Sequence, residues 1–235
     1  MSHVYPVLLN IKEKACLVIG GGRVAERKIT SLLDAGAKVT VISPIFSHKL
    51  QAWGAAGRIV LTQRGYELGD VHEGLTLVIA ATDVEEVNRS IYRDAAALHL
   101  WVQVADQPDI STFILPSVVR KGKLILAVST GGASPTLARQ IASEWRASYG
   151  DEYEIYLEFL ADLRLKVQSW VKDKEVRQQM FKQMLEWDVL AMIRCGLFES
   201  WKTELLEALK HTPTLDMIEL FTQVSVERLG GNTIR

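Results

Sequence analysis

Cys16-Leu-Val-Ile-Gly20-Gly21-Gly22-Arg23-Val24-Ala25 is the stretch on which the fold of this chain turns. An apolar run, three glycines and the start of an amphipathic segment read as a buried strand, a tight turn and a helix. Gly20, Gly22 and Ala25 satisfy the G-x-G-x-x-G/A spacing. In that pattern the first glycine makes the turn and the second lets a pyrophosphate approach the backbone. The small third residue lets the helix pack against the strand. The helix N-terminus then offers unpaired N–H groups and a positive dipole end to phosphates.

Outward from this turn the pattern alternates strand and helix. Ala15 to Ile19 is the first core strand. Arg23 to Asp34 is a helix with Ala25, Ile29, Leu32 and Leu33 on one face, closed by Gly36. Lys38 to Ile42 completes a βαβ unit. Ile45 to Ala56 reads as helix, Arg58 to Thr62 and Leu75 to Ala81 as strands, and Val84 to His99 as helix with Asp83 as its N-cap and Glu86 completing the cap. His99 reads as a surface residue at the helix end. Leu100 to Ala105 is a fifth strand. Tyr5 to Leu9 is an edge strand or an extended lead-in. His3 reads as an exposed terminal residue.

After Ser111 the grammar changes. Thr112 to Val119 and Lys123 to Ser129 read as an antiparallel hairpin around Arg120-Lys121-Gly122, with Pro116 at an edge or bulge. Ser129 to Pro135 is a second small-residue loop. It leads into a helix with Ser134 as N-cap, Pro135 as first residue and a stripe of Leu137, Ile141 and Trp145. From Asp151 onward only helices are expected: Ile155 to Lys172, Val176 to Cys195, Phe198 to Lys210 and Thr214 to Phe221, with a frayed tail through Gly230-Gly231. Their tryptophans read as core anchors. The fold class is therefore α/β. It comprises a Rossmann-like parallel sheet over residues 1–111, a hairpin and helix over 112–150, and a helical domain over 151–235.

Bulk numbers narrow the function. A net charge of −1, from 27 basic and 28 acidic residues, gives no nucleic-acid or membrane signal. No apolar run reaches transmembrane length, and the N-terminus lacks the pattern of a secretory signal. With only two cysteines, one inside the first strand, a reducing cytoplasm is expected. The five histidines are scattered, so no metal site is expected. There is neither a Walker lysine nor a G-x-S-x-G elbow.

What remains is dinucleotide chemistry. An Asp or Glu after the second strand would hold the adenosine ribose, but Ser43 stands there, with no adjacent arginine for a 2′-phosphate. The local pattern leans to NAD. Thr82, at a strand C-terminus, is a candidate lining residue. Asp106, at the end of the fifth strand, is the best-placed acid/base, and a partly closed crevice would raise its pKa toward neutrality. Arg120, Lys121, Lys123 and Arg139 form a candidate basic rim for an acidic substrate, with a solvated turn as the plainer alternative.

Five motifs in order carry a resemblance: Val18-Ile-Gly-Gly-Gly-Arg-Val-Ala-Glu-Arg-Lys28, Ala80-Ala-Thr-Asp83, Val104-Ala-Asp106, Phe113-Ile-Leu-Pro-Ser117 and Ala127-Val-Ser-Thr-Gly-Gly-Ala-Ser-Pro135. The chain resembles the precorrin-2 dehydrogenase family of siroheme synthesis, including the N-terminal half of the multifunctional siroheme synthase. The match is strong over about 1–150; the helical remainder agrees in type. The resemblance implies NAD-dependent oxidation of precorrin-2, an acidic tetrapyrrole, to sirohydrochlorin. In some members ferrous iron is a further substrate. It also implies a homodimer in which the segment after the nucleotide domain crosses to the partner. It assigns catalysis to Asp106 and cofactor contacts to Gly20, Gly22, Arg23, Val24, Pro44 and Ile45. Ser129 becomes a substrate-pocket residue that some members phosphorylate. The methyltransferase half of the multifunctional enzyme has no counterpart in these 235 residues. The alternatives are a bifunctional dehydrogenase and ferrochelatase, or a non-catalytic NAD- and tetrapyrrole-binding module.

Overall fold

The computed structural model describes residues 4–231. The chain divides into two compact units, Met1–Leu115 with Gly131–Ala133, and Pro116–Thr130 with Ser134–Arg235. His3 and the tail beyond residue 231 lie outside the described residues.

The first unit is built on the alternation expected from the sequence. β1 (Ala15–Ile19) runs into the glycine turn and α1 (Arg23–Asp34). β2 (Lys38–Ile42), α2 (His48–Ala55) and β3 (Val60–Thr62) follow. β4 (Leu77–Ala80), α3 (Glu85–Ala97) and β5 (Trp101–Val104) complete it. The five strands form one sheet in the order β3-β2-β1-β4-β5, all neighbours parallel. The chain moves outward from β1 through β2 to β3, then crosses to β4 on the other side of β1. The topological switch point therefore lies between β1 and β4, where open α/β sheets place their ligand crevice.

Both faces of the sheet are covered, so its central strands are apolar throughout. On one face Ala25, Ile29 and Leu32 of α1 and Leu50 of α2 pack on Cys16, Val18, Val39, Val41 and Ile79. On the other, Ile91 and Ala95 of α3 pack on Leu17, Ile19, Val78, Val102 and Val104. The outer edge of β5 is covered by the returning chain. The Thr112 amide donates to the Val102 carbonyl at 2.8 Å, and its Oγ1 accepts from the Val102 amide at 2.8 Å. Strand polar groups that would invite edge pairing are thereby used.

Several expected boundaries shift. Residues 4–11 form no strand; they lead into β1 without regular structure, and Tyr5 is 86% exposed. α2 starts at His48, because the Ser47 side chain caps it by accepting from the Leu50 amide. Asp83 is not the cap of α3. The cap position is Val84, whose amide donates to Thr82 Oγ1 at 3.2 Å. His99 is exposed in a left-handed conformation just past α3.

The second unit opens with β6 (Ser117–Lys121) and β7 (Leu124–Val128), paired antiparallel. The turn is shorter than the expected Arg120-Lys121-Gly122: it consists of Gly122 and Lys123, with Gly122 at φ 52°, as a tight hairpin whose first turn residue is glycine requires. Pro116 stays just outside the ladder. α4 (Pro135–Ser148) is capped by Ser134 and begins at Pro135 as anticipated. Its buried residues are Ala138 and Ala142, not the expected larger stripe. These small side chains let the helix lie close on the hairpin, while Leu137 stays 46% exposed.

α5 (Glu152–Trp170), α6 (Lys174–Gln183), α7 (Val189–Arg194), α8 (Phe198–His211) and α9 (Leu215–Gly231) complete the unit. The helix expected over Val176 to Cys195 is broken. Trp187 turns inward at 3% exposure, and Asp188 starts α7 by accepting from the Ala191 amide. α9, expected to end at Phe221, runs on through Gly230-Gly231. The core is aromatic: Trp187 and Trp201 meet edge-to-face at 5.0 Å, with Phe159, Phe198 and Phe221 around Trp201. Trp187 Nε1 donates to the Ile218 carbonyl at 3.3 Å, whereas the buried Trp201 Nε1 has no hydrogen-bond partner among the described residues.

Leu205 is fully buried in this core. Truncating it (Leu205→Ala) is expected to cost about 2–5 kcal/mol of unfolding free energy in a denaturant titration. The exposed Glu199→Ala should stay within about 0.5 kcal/mol.

Candidate cofactor and catalytic site

The three glycines differ in what they allow. Gly20 has φ 127°, and a Cβ there would stand 2.2 Å from the Ala81 carbonyl oxygen. Gly21 has an ordinary φ, yet a Cβ on it would stand 1.9 Å from the Ile45 carbonyl oxygen and 2.8 Å from Ser43 Oγ. Gly22 meets nothing within 4 Å. The first two are required by the protein itself. The third keeps its surface clear, as backbone approached by a phosphate must be. Gly21 is the residue the spacing rule overlooks, since the pattern treats it as any amino acid.

Backbone hydrogen bonds stitch this turn to both neighbours. The Gly20 amide donates to the Ile42 carbonyl at 2.9 Å, and the Ser47 amide to the Gly21 carbonyl at 2.9 Å. The Ala81 amide donates to the Ile19 carbonyl at 2.7 Å. Gly22 caps α1 without a side chain. The first N–H groups of the helix therefore face the crevice with no side chain competing for them.

Around the turn, Arg23, Pro44 and Ile45 are exposed, Ile45 at 79%. Val24 is 37% exposed. Apolar surface at a β2 C-terminus suits the adenine end of a dinucleotide. Ser43, expected to reach the ribose, is 7% exposed, and its hydroxyl donates to the Ile45 carbonyl at 2.7 Å. Its proton shapes the loop, leaving only acceptor capacity.

The loop after β4 is held from below by Asn88, one of the few buried polar side chains. Asn88 Oδ1 accepts from the Thr82 amide at 3.2 Å and from Thr82 Oγ1 at 2.8 Å. Its Nδ2 donates to the Thr82 carbonyl at 2.9 Å. Thr82 thus lies beside Gly20 with its hydroxyl engaged inside the loop. Sequence reading missed Asn88 because its only signal is a polar residue on the buried face of a helix.

Asp106 follows β5 in a left-handed conformation, φ 60°, at a turn closed by the Gln107 amide on the Val104 carbonyl at 3.3 Å. Asp tolerates that region better than most residues, and such positions concentrate at functional sites. Ser111 locks the turn: its Oγ donates to the Gln107 carbonyl at 2.9 Å and accepts from the Val104 amide at 3.0 Å. The side chain of Asp106 is exposed. The closing of apolar strands over it, on which the sequence expectation relied, is therefore not found: β5 ends before Asp106 and the turn carries it outward.

Gly20, Gly22, Arg23, Val24, Ser43, Pro44, Ile45, Thr82 and Asp106 all lie on the first unit, at the C-terminal edge of its sheet. Arg120, Lys123, Ser129 and Arg139 belong to the second. There the hairpin lysines are engaged: Lys121 pairs with Asp151 and Lys123 with Glu158, each at 2.5 Å. Arg139 donates to Thr136 Oγ1 at 3.1 Å, and Ser129 is exposed. No cluster of metal-binding side chains occurs among the described residues.

These features define a nucleotide-binding α/β domain. Residues 7–117 match a family described as "Putative NAD(P)-binding", and NAD is the cofactor this domain is built to hold. Siroheme synthase of Thioalkalivibrio sulfidiphilus is 37% identical over 206 residues, 88% of this chain and 42% of that protein. Siroheme synthase of Nitrosococcus oceani is 36% identical over 205 residues, 87% of this chain and 44% of that protein. Along most of its length the chain is thus similar to siroheme synthases. It spans less than half the length of these relatives. A solved structure named SirC, precorrin-2 dehydrogenase, shares the fold, with a TM-score of 0.68 and 24% identity over 95% of this chain and 100% of that one.

The glycines predict a split. Gly21→Ala should lose about 1–3 kcal/mol of stability through overpacking. Gly22→Ala should lose no more than about 1 kcal/mol, the cost of alanine at an N-cap, and should weaken NAD binding, measured by titration calorimetry.

Proposed function

We propose that this chain oxidises precorrin-2 to sirohydrochlorin with NAD, as a dehydrogenase of siroheme synthesis. The observation that carries the reading is Asp106. It is a carboxylate held in a left-handed turn at the C-terminal edge of the same sheet as the glycine cradle. The similarity to siroheme synthases along most of the chain supports it.

The oxidation removes a hydride and a proton from the tetrapyrrole. NAD, when bound, supplies the hydride acceptor. The Gly20 to Gly22 backbone and the N-terminus of α1 hold its phosphates, with Arg23 and Val24 opening the helix beside them. Pro44 and Ile45 flank the adenosine end, and the Thr82 loop, braced by Asn88, walls the crevice next to Gly20. Asp106 takes the proton, a task that needs a carboxylate within reach of it and held on a rigid mount. Ser111 supplies the rigidity. Ser129 and the exposed cations Arg120, Lys123 and Arg139 serve the acidic substrate.

The working form is a homodimer. Val118 and Leu137 of the hairpin-and-helix segment are 42% and 46% exposed, apolar surface that a second copy would cover. The place of action is the cytoplasm: both cysteines are unpaired, and Cys16 is buried within β1. No helix among the described residues is long and apolar enough to cross a membrane.

Asp106→Asn keeps a residue that tolerates the left-handed turn and removes the base. Turnover of precorrin-2 should fall by about 10²-fold or more, while NAD binding by calorimetry stays as in the parent. Turnover within about threefold of the parent, less than general acid–base catalysis contributes, would remove Asp106 from the chemistry.

A further inference from the structure

β2 and β3 end side by side at the crevice edge of the sheet. Ile42 is in register with Thr62, and the Ser43 amide donates to the Thr62 carbonyl at 3.2 Å. Ser43 and Gln63 therefore leave the sheet as neighbours. The exposed Gln63 side chain reaches across to the loop after β2, where its Nε2 donates to the Pro44 carbonyl at 3.3 Å. A carbonyl only accepts, so the amide nitrogen is the end that faces Pro44. Oε1 is the other end of the head group, and nothing among the described residues donates to it.

In dinucleotide-binding folds the 2′-hydroxyl of the adenosine ribose is ordinarily held by a side chain just past the second strand. Here that loop has little to offer. Ser43 is buried and gives its proton to Ile45, Pro44 lacks an N–H, and the Ile45 side chain is apolar. The carboxamide of Gln63, anchored on the same loop from the neighbouring strand, brings the acceptor that the loop lacks.

The cation next to Gln63 is engaged. Arg64 Nη1 donates to Asp70 Oδ2 at 2.7 Å and to the Gly65 carbonyl at 2.9 Å, and its Nη2 donates to Asp70 Oδ1 at 2.5 Å. The Asp70 side chain is 10% exposed and also accepts from the Glu67 amide at 2.8 Å. A bidentate pair on such a mount holds the guanidinium in place.

We propose that Gln63 determines cofactor specificity: its Oε1 accepts from the adenosine 2′-hydroxyl and, with Arg64 held by Asp70, the site selects NAD over NADP. A hydroxyl supplies the proton that Oε1 can accept. A 2′-phosphate dianion supplies none and finds no free guanidinium in its place. The inference rests on the cofactor reading of the glycine cradle and is independent of the tetrapyrrole chemistry.

The test uses the full chain and its Gln63→Ala and Gln63→Glu variants. Calorimetry measures Kd for NAD, for NADP and for the NAD analogue that lacks the adenosine 2′-hydroxyl. In the parent, loss of that hydroxyl should weaken binding about threefold to tenfold, the worth of one neutral hydrogen bond. NADP should bind the parent about tenfold more weakly than NAD, because an acceptor and a phosphate are both left unpaired. Gln63→Ala should bind NAD and the analogue within about twofold of each other, since only NAD loses a contact. Gln63→Glu keeps an acceptor and loses the donor to Pro44. It should retain the preference for NAD over the analogue and bind NADP more weakly than the parent does, through like-charge repulsion.

A side chain that only braced Pro44 would weaken NAD and the analogue equally in both variants. That result overturns the proposal, as does a parent that binds the analogue or NADP as tightly as NAD. A parent that binds neither NAD nor NADP overturns the cofactor reading, and the ribose contact with it.

Discussion

Two absent side chains hold the nucleotide unit together at its most crowded point. The carbonyl oxygens of Ala81 and Ile45 occupy the space where Gly20 and Gly21 would carry Cβ atoms. That fit lets the ends of β1, β2 and β4 converge at the topological switch point. The convergence makes the crevice: the turn after β1 is its floor, and the loops after β2 and β4 are its walls. Without it α1 would not present its N-terminus to the space where phosphates bind, and the order of the strands alone would define no site.

Polar groups that touch no ligand then fix those walls. Ser43 spends its proton on Ile45, Asn88 grips Thr82 through both its backbone and its side chain, and Ser111 closes the turn under Asp106. Each is a short side chain satisfying loop backbone that would otherwise need water. The crevice is therefore preorganised by its supports, which is what positioning chemistry demands. The second unit follows a different economy, with its stability concentrated in a cluster of interlocking aromatics around Trp201.

Much of this architecture was legible in the residues. β1, α1 and β2 fall where hydrophobic period and glycine punctuation put them, because local pattern and tertiary packing agree there. The sequence misled where one side chain has two possible partners. Asp83 has the spacing of a cap, yet α3 begins one residue later, with Val84 at the cap position and no side chain capping it. Ser43 stands where a ribose ligand is expected, yet a carbonyl two residues away takes its proton. The larger residues of α4 looked like its core stripe, but small residues pack closer against a hairpin. Gly21 and Asn88 were invisible because their importance lies in distances to residues remote in the chain. The proton-accepting environment of Asp106 was misjudged for the same reason: strand ends predict position, not cover.

A cofactor cradle imposed by sterics and a carboxylate mounted on the same sheet edge thus occur together in a chain similar to siroheme synthases. We propose that the two act on one substrate. The direct measurement is an anaerobic reaction of the purified chain with precorrin-2 and NAD, followed by absorbance. The account predicts one NADH formed for each sirohydrochlorin, and no sirohydrochlorin above the enzyme-free rate when NAD is withheld. Sirohydrochlorin formed without NADH, or precorrin-2 left unchanged while NAD is bound, would contradict it.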